Sequence, residues 1–232
     1  METGSSEGLT TAIKDAQIEG HLILNEIFFS IQGESSFSGR PCVFVRLTGC
    51  DLRCTWCDTP YAFHEGKKQS VRSILNAVQK YPCKLIEITG GEPLLHKNTP
   101  MLAKRLLEAG YTVLIETSGS QDISVLDRKV IKIVDVKCPG SGESHRNLLQ
   151  NLAHLAPWDE LKFVIADEAD YRWAREFCAK ELQGFDQTII FSPVFGRLPN
   201  QKLAEWILKD GLDVKMQLQM HKYIWDPNCR GV

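Results

Sequence analysis

The sequence predicts an α/β protein whose strands form a mainly parallel sheet, open or closed as a barrel. Extended apolar segments alternate with segments of helical periodicity through most of the chain, and this order is typical of parallel strands joined by right-handed crossovers. Helix-capping and helix-ending residues separate the two kinds of segment. Short polar, glycine-containing segments follow several strands, at the ends where α/β folds bind their ligands.

Length and composition predict one hydrophobic core and a small-molecule partner. The chain has 232 residues, of which 43% are hydrophobic and 24% are charged, as in ordinary globular proteins. With 27 basic and 29 acidic residues, the net charge is −2. No block of basic residues indicates nucleic-acid binding, and no apolar run approaches the ~20 residues of a membrane span.

The N-terminal region predicts a tail and a cytoplasmic location. Residues 1–17 lack apolar periodicity and are expected to be a mobile tail, so that residues 18–232 form a single domain. This region is polar and contains no apolar core of a secretory signal. A reducing compartment is therefore expected, in which clustered cysteines more often serve metal or redox chemistry than disulfides.

Two strands open the predicted domain. Residues 21–29 and residues 42–47 are rich in apolar and β-branched side chains, which favours extended structure. Between them, residues 30–36 are polar and contain glycine, so they are expected to form a turn or a ligand-binding loop. The second strand leads directly into a loop that contains three cysteines.

The elements after this loop are predicted from caps and periodicity. Ser70 is expected to cap a helix over residues 71–80, and Thr99 to cap a second helix with Pro100 in its first turn and Gly110 as its stop. Further strands are predicted at residues 85–89, 111–116, 130–136, 160–165, 188–191 and 213–219. Further helices are predicted at residues 147–155, 168–182 and 201–209.

Cys50, Cys54 and Cys57 lie within eight residues. Three thiolates can hold an iron-sulfur cube that needs four ligands, which leaves one iron open to bind another molecule. Zinc is the alternative suggested by the pair Cys54 and Cys57, but the chain lacks the second Cys-x-x-Cys or the His-x-x-x-His pair that structural zinc normally uses. Buried, unreactive thiols are disfavoured because the loop is polar and follows a glycine.

A second segment, Gly-Gly-Glu-Pro at residues 90–93, ends a predicted strand. Two glycines allow the backbone to approach a ligand closely, and the carboxylate of Glu92 suits an ammonium group. By itself this tetrapeptide is equally well explained as a strand-to-loop turn.

The spacing Cys-x3-Cys-x2-Cys, with Trp56 directly before the third cysteine, resembles the signature of radical SAM enzymes. This resemblance implies that the three thiolates hold a [4Fe-4S] cluster whose free iron binds S-adenosylmethionine. One electron then cleaves that cofactor to a 5′-deoxyadenosyl radical. It also implies that Gly91 and Glu92 contact the amino group of the cofactor's methionine moiety.

Seven segments in order resemble the 7-carboxy-7-deazaguanine synthase family of queuosine and deazapurine biosynthesis. They are residues 32–34, 44–50, 57–59, 90–93, 116–119, 161–164 and 219–223. The resemblance implies an incomplete, TIM-like α/β barrel and a small homodimer. It implies a lyase that converts 6-carboxy-5,6,7,8-tetrahydropterin to 7-carboxy-7-deazaguanine with loss of ammonia, using Mg²⁺ and an electron donor such as flavodoxin or ferredoxin.

The resemblance also assigns site residues in this chain. The implied substrate contacts are Gln32, Glu34, Arg46 and His221. The implied cofactor contacts are Gly91, Glu92, Thr117, Ser118 and Lys137. The implied metal ligands are Cys50, Cys54 and Cys57 for the cluster and Thr59 for Mg²⁺.

Simpler explanations exist for several of these residues. Thr59 could be a turn or helix-cap residue, Arg46 a structural ion pair, and His221 a packing residue. Cys42 and Cys138 are expected to be packing residues. Two other functions stay open at this stage: a radical SAM activase that acts on a partner protein, and a zinc-binding interaction module without catalysis.

Overall fold

The computed structural model describes residues 20–232, so the predicted tail at 1–17 lies outside the described residues. The strands are β1 (His21–Ile31), β2 (Pro41–Leu47), β3 (Lys67–Ser70), β4 (Leu85–Gly90), β5 (Thr112–Thr117), β6 (Ile131–Asp135), β7 (Glu160–Ile165), β8 (Thr188–Pro193) and β9 (Lys215–Met216). The α-helices are α1 (Val71–Val78), α2 (Thr99–Glu108), α3 (Glu168–Glu181), α4 (Asn200–Asp210) and α5 (His221–Ile224).

All described strands join one sheet in the order β3-β1-β2-β4-β5-β6-β7-β8-β9. From β2 to β9 every neighbouring pair is parallel, whereas β1 runs antiparallel to both β2 and β3. Within residues 20–232 the two edge strands do not pair with each other, so the barrel stays open. The predicted fold class, an incomplete α/β barrel, is confirmed.

Alternation along the parallel strands separates a helix-facing core from the interior of the barrel. Residues such as Ile86 and Ile88 belong to the large core against the helices. The residues between them face the other way, because successive side chains on a strand point to opposite faces. There a smaller apolar layer contains Leu85, Leu114 and Ile133.

Two residues further along the same three strands, the interior becomes acidic. The residues at these positions are Glu87, Glu116 and Asp135. An apolar layer therefore closes the interior below a ring of carboxylates, and these carboxylates lie toward the carboxyl ends of the strands. This is the end where the cysteine loop also follows β2.

Helix caps were predicted with mixed success. Ser70 caps α1 as predicted, since its side chain accepts a hydrogen bond of 3.1 Å from the Ser73 amide. Gly110 follows α2 with a φ of +79°, as expected for a helix stop. The predicted cap at Thr99 is wrong. Asn98 takes the cap position, and the buried Thr99 hydroxyl donates to the Pro93 carbonyl at 2.6 Å.

Two other local predictions need correction. Residues 147–155 do not form an α-helix but contain a 3-10 helix, Leu149–His154, and β9 is only two residues long where a strand over 213–219 was expected. Directly after β9, the backbone amide of Gln217 still donates to the Phe191 carbonyl of β8 at 3.0 Å, and its side-chain amide donates to the Ser35 carbonyl at 2.7 Å. The short elements β3 and α5 were not predicted. None of the described helices has the length and apolar character needed to span a membrane.

Candidate active site

The cysteine loop follows β2 at the carboxyl end of the sheet, and all three thiols are partly buried and reduced. The loop is held against the segment after β6. The Thr55 amide donates to the Ser141 carbonyl at 3.1 Å, and the Thr55 hydroxyl donates to the Gly140 carbonyl at 2.9 Å. The Arg53 amide donates to Glu143 at 2.6 Å. These contacts fix the loop at its middle, between the first and third cysteines.

The three thiols are donors of the kind that iron-sulfur clusters use. Burial raises the pKa of Cys50 to about 11 and also raises the pKa of Cys54, so a cationic metal centre is needed to stabilise their thiolates. No three or more His, Cys, Asp or Glu side chains of residues 20–232 converge around one ion.

Gly91 lies directly against the beginning of the cysteine loop. The amide of the next residue, Glu92, donates to the Gly49 carbonyl at 2.8 Å. A Cβ atom at position 91 would lie 2.3 Å from the Gly49 oxygen and 2.7 Å from the Cβ of Cys50. The glycine is therefore required for the close approach of the two segments.

Gly91→Ala should displace Cys50 and lower turnover by roughly 100-fold, the cost typical of a misplacement of about 1 Å at a reacting site. The iron content after anaerobic reconstitution should fall in the same variant. Gly211→Ala is the control for backbone strain without a steric clash, because Gly211 ends α4 with a φ of +60° and nothing lies within 4 Å of its added Cβ. Equal iron content in both variants would contradict this role for Gly91.

Glu92, Thr117 and Ser118 are brought together by the ends of β4 and β5. The Glu92 side chain is fully buried and accepts hydrogen bonds from the Thr117 hydroxyl at 2.9 Å and from the Ser118 hydroxyl at 2.6 Å. The amides of Ser118 and Leu94 also donate to it, at 2.7 and 2.8 Å. Burial raises the pKa of Glu92 and these bonds oppose the rise. Its contact with a cofactor ammonium stays a prediction, since the carboxylate is already well bonded.

Lys137 follows β6 and forms an ion pair with Asp135 at 2.6 Å. Burial acts to lower the pKa of Lys137, but the nearby carboxylate of Asp135 and the Cys54 thiol outweigh it and raise the pKa. The lysine is therefore charged and lies beside the cysteine loop. Its contact with the cofactor stays a prediction.

The predicted substrate residues Gln32, Glu34 and His221 lie together. Gln32 accepts a hydrogen bond from the Glu34 amide at 3.0 Å, and its own amide group donates to Glu87. The ring of His221 lies against Gly33, where an added Cβ would be 2.2 Å from the imidazole Nδ1. Burial lowers the pKa of His221, against the effect of Glu34. The loop and the C-terminal helix α5 thus meet over the acidic interior.

Arg46 takes part in the structural ion pair that was the simpler explanation. Its Nε lies 2.8 Å from Glu26, and its guanidinium lies 5.6 Å from the ring centre of Phe28 and 5.9 Å from that of Tyr61. A substrate carboxylate would have to share this guanidinium with Glu26 or displace it. The predicted role of Arg46 in substrate binding remains a prediction.

Thr59 occupies the residue before the 3-10 helix Pro60–Phe63 without making a capping hydrogen bond. Its hydroxyl lies 3.9 Å from the sulfur of Cys57. The helix-cap explanation therefore does not account for the hydroxyl. Its role as a Mg²⁺ ligand stays a prediction.

Sequence reasoning missed an ion-pair network below these residues. Lys162, on β7, is almost fully buried and its ammonium lies 2.7 Å from Glu34 and 3.4 Å from Asp135, with a further bond to Glu116. Burial, together with Glu116 and Glu34, raises the pKa of the nearby Glu87 well above its usual value. A charged residue between two apolar neighbours of a buried strand, as in Leu-Lys-Phe, is the signal that could have identified it.

The fold and the cysteine loop define a radical SAM protein, and residues 44–137 match the radical SAM superfamily. Such membership implies a [4Fe-4S] cluster and S-adenosylmethionine. The chain belongs to the 7-carboxy-7-deazaguanine synthase family, and it is therefore an enzyme, of the lyase class.

Two relatives support this assignment, and one solved structure supports the fold. The 7-carboxy-7-deazaguanine synthase of Koribacter versatilis is 48% identical over 225 residues, covering 90% of this chain and 99% of the relative. That of Chlorobaculum tepidum is 46% identical over 217 residues, covering 92% and 99%. The crystal structure of QueE from Escherichia coli has a TM-score of 0.74 at 24% identity and covers 94% of this chain and 100% of that one. At that identity it supports the fold alone.

Proposed function

We propose that this enzyme converts 6-carboxy-5,6,7,8-tetrahydropterin to 7-carboxy-7-deazaguanine by a radical ring contraction with loss of ammonia, in queuosine biosynthesis. The observation that carries this proposal is the position of the cysteine loop beside a buried interior rich in hydrogen-bond acceptors, at one end of one sheet. The names of the close relatives support the same reaction. They give no support to a protein activase or to a zinc module.

The cysteine loop would hold the cluster through Cys50, Cys54 and Cys57. When bound, the cluster and S-adenosylmethionine supply the radical that abstracts hydrogen from the substrate carbon bearing the carboxylate. The cofactor would be contacted from the ends of β4, β5 and β6 by Gly91, Glu92, Thr117, Ser118 and Lys137. The loop contacts to residues 140–143 hold the cysteines in place.

The acidic interior would bind the aminopyrimidinone edge of the pterin, which presents N–H donors. Burial acts to raise the pKa of Glu34, but the charges of Lys162 and His221 outweigh it and lower that pKa. Glu34 is therefore ionised and can accept two N–H bonds. Burial and its acidic neighbours raise the pKa of Glu87 well above its usual value, which favours the neutral form and reduces its repulsion of Glu34.

The direct test is anaerobic reconstitution followed by mass detection of the deazaguanine acid. Product should form with less than one equivalent of S-adenosylmethionine consumed per turnover, because the cofactor is regenerated. A protein with an intact cluster that forms no product would overturn the proposal. Metal analysis separates the zinc alternative, since a cluster gives about four irons per chain and a structural site about one zinc.

We also propose that Thr59 binds Mg²⁺ together with the substrate carboxylate. Thr59→Val removes the hydroxyl and keeps the shape of the side chain. The Mg²⁺ concentration for half-maximal turnover should rise at least about tenfold, because even the loss of a residue that only hydrogen-bonds to a metal ligand costs that much in metal affinity. Thr59→Ser should retain wild-type dependence. Cleavage of S-adenosylmethionine without substrate should be unaffected in both variants. An unchanged Mg²⁺ dependence in Thr59→Val would exclude the role.

The family resemblance supports three further proposals. Residues 18–232 act as a single domain, the chain works as a homodimer in the cytoplasm, and flavodoxin or ferredoxin supplies the electron. Light scattering should give twice the mass of one chain.

Replacing dithionite by reduced flavodoxin or ferredoxin should sustain turnover. Failure of both of these electron carriers would exclude them as donors.

A further inference from the structure

The buried ammonium of Lys162 connects the loop that contains Glu34 to the strands β5 and β6. Its side chain is 4% exposed, and it contacts Glu34 of the loop, Glu116 of β5 and Asp135 of β6. Three carboxylates from three separate segments thus share one cation. Asp135 is also paired with Lys137, which leaves Glu34 and Glu116 as the carboxylates that depend most on Lys162.

Strand alternation explains why a lysine lies here. Its neighbours Leu161 and Phe163 belong to the core against the helices, so the side chain between them must face the barrel interior. Lys162 pairs with Asp135 across the parallel β6 and β7 strands. This register brings its ammonium to the level of the carboxylates of Glu116 and Asp135.

Glu34 is held at both of its oxygens. Lys162 binds one oxygen at 2.7 Å, and the amide group of Gln219 donates to the other at 2.9 Å. Each carboxylate oxygen has a second lone pair, so the clamped group can still accept one bond at each oxygen. Two parallel acceptors suit a heterocycle with an amino group beside a ring N–H.

We infer that Lys162 is a positioning residue for the proposed reaction: it holds the Glu34 carboxylate in the orientation that accepts both N–H groups of the pterin edge. This inference rests on the proposed function. Lys162 acts through Glu34 and determines the affinity for the substrate, while the cluster and S-adenosylmethionine bind without it. A substrate analogue with an oxygen in place of the amino group would place a hydrogen-bond acceptor against the Glu34 carboxylate, which is also an acceptor. The site therefore rejects this analogue.

The first test is Lys162→Met, with Lys162→Met/Glu116→Gln as a variant that restores the buried charge balance. The folded double variant should keep its iron content and its substrate-independent cleavage of S-adenosylmethionine. Its KM for the carboxytetrahydropterin should rise roughly 10- to 100-fold, the range that loss of one charge-assisted hydrogen bond corresponds to. Lys132→Met/Asp159→Asn is the matched control, because Lys132 is equally buried and its partner Asp159, 2.8 Å away, is neutralised in the same way, but the pair lies near the beginning of β6; its KM should be unchanged.

The second test asks whether Lys162 acts through Glu34. Glu34→Gln should itself raise KM, and adding Lys162→Met to it should cause no further rise, because the group that the lysine orients is already altered. A further rise equal to that in the wild-type background would overturn the inference. So would an unchanged KM in Lys162→Met/Glu116→Gln, or a parallel loss of iron, cofactor cleavage and substrate affinity, which would indicate a purely structural role.

The outcomes for the wild type separate the two proposals. A wild-type enzyme with an intact cluster but no deazaguanine product would overturn the proposed function and this inference with it. A wild-type enzyme that forms product, together with variants whose KM is unchanged, would overturn the role of Lys162 alone.

Discussion

Cys50→Ala is expected to abolish product formation and to remove most of the about four irons per chain that the reconstituted protein should contain. The cluster would lose one of its three thiolates, and the remaining pair leaves two irons without protein ligands. Product should fall by at least about 1,000-fold, since the radical chemistry belongs to the cofactor and the protein cannot replace it. Iron and sulfide analysis, the visible spectrum and mass detection of product measure the effect.

Cys138→Ala is the control that separates ligand loss from general damage. Cys138 lies within a few residues of the segment that holds the cysteine loop, yet it is 1% exposed and packs in the helix-facing core. As predicted for a packing residue, its loss should lower stability modestly and leave the iron content unchanged. An iron-free Cys138→Ala protein, or a Cys50→Ala protein with full iron and turnover, would show that the ligands are assigned wrongly.

Local sequence patterns were sufficient to predict most of the parallel strands, although not the extent of β9. β4, β5 and β7 are short apolar runs bounded by polar turns, and their predicted bounds differ from the observed ones by at most one residue. Local sequence patterns were insufficient to predict elements that form only by pairing with a neighbouring strand. β3 is a polar segment, Lys-Lys-Gln-Ser, that is extended because it pairs with β1, and no local pattern contains that information.

The two halves of the candidate site differ in the same way. The cysteine loop and the Gly-Gly-Glu segment are local motifs, so the sequence alone could identify them. The network of Glu34, Glu116 and Lys162 joins residues up to 128 positions apart, and only strand register brings them together. The ion pair of Arg46 with Glu26, 20 positions earlier, also depends on the pairing of β1 with β2. From the sequence alone, an ion pair of Arg46 could only be named as an alternative to substrate binding.

The second large effect is expected far from the candidate site, at the buried pair of Lys132 and Asp159. These side chains are 2% and 0% exposed and their charged groups are 2.8 Å apart. Asp159 also accepts hydrogen bonds from the amides of Lys132 and Ala156, at 2.8 and 2.7 Å. It therefore connects the beginnings of β6 and β7 through both its charge and its backbone contacts.

Asp159→Ala should lower the free energy of unfolding by about 3–5 kcal/mol, because it leaves a buried ammonium and two amides without their partner. For a chain of this size that corresponds to a fall in Tm of roughly 6–20 °C. Differential scanning calorimetry measures the change. Turnover per folded molecule at low temperature should be unchanged, since the pair lies at the amino ends of the strands and the proposed site at their carboxyl ends.

A double-mutant cycle separates the charge from the backbone contacts of Asp159. Lys132→Met keeps the aliphatic stem and removes the cation, and Asp159→Asn keeps the shape and removes the anion. Each single variant leaves one buried charge unpaired, whereas the double variant leaves none, so its loss of stability should be smaller than the sum of the two. Additive losses would mean that the two charges do not interact, and the pair would then stabilise the barrel only through the hydrogen bonds of Asp159 to the backbone.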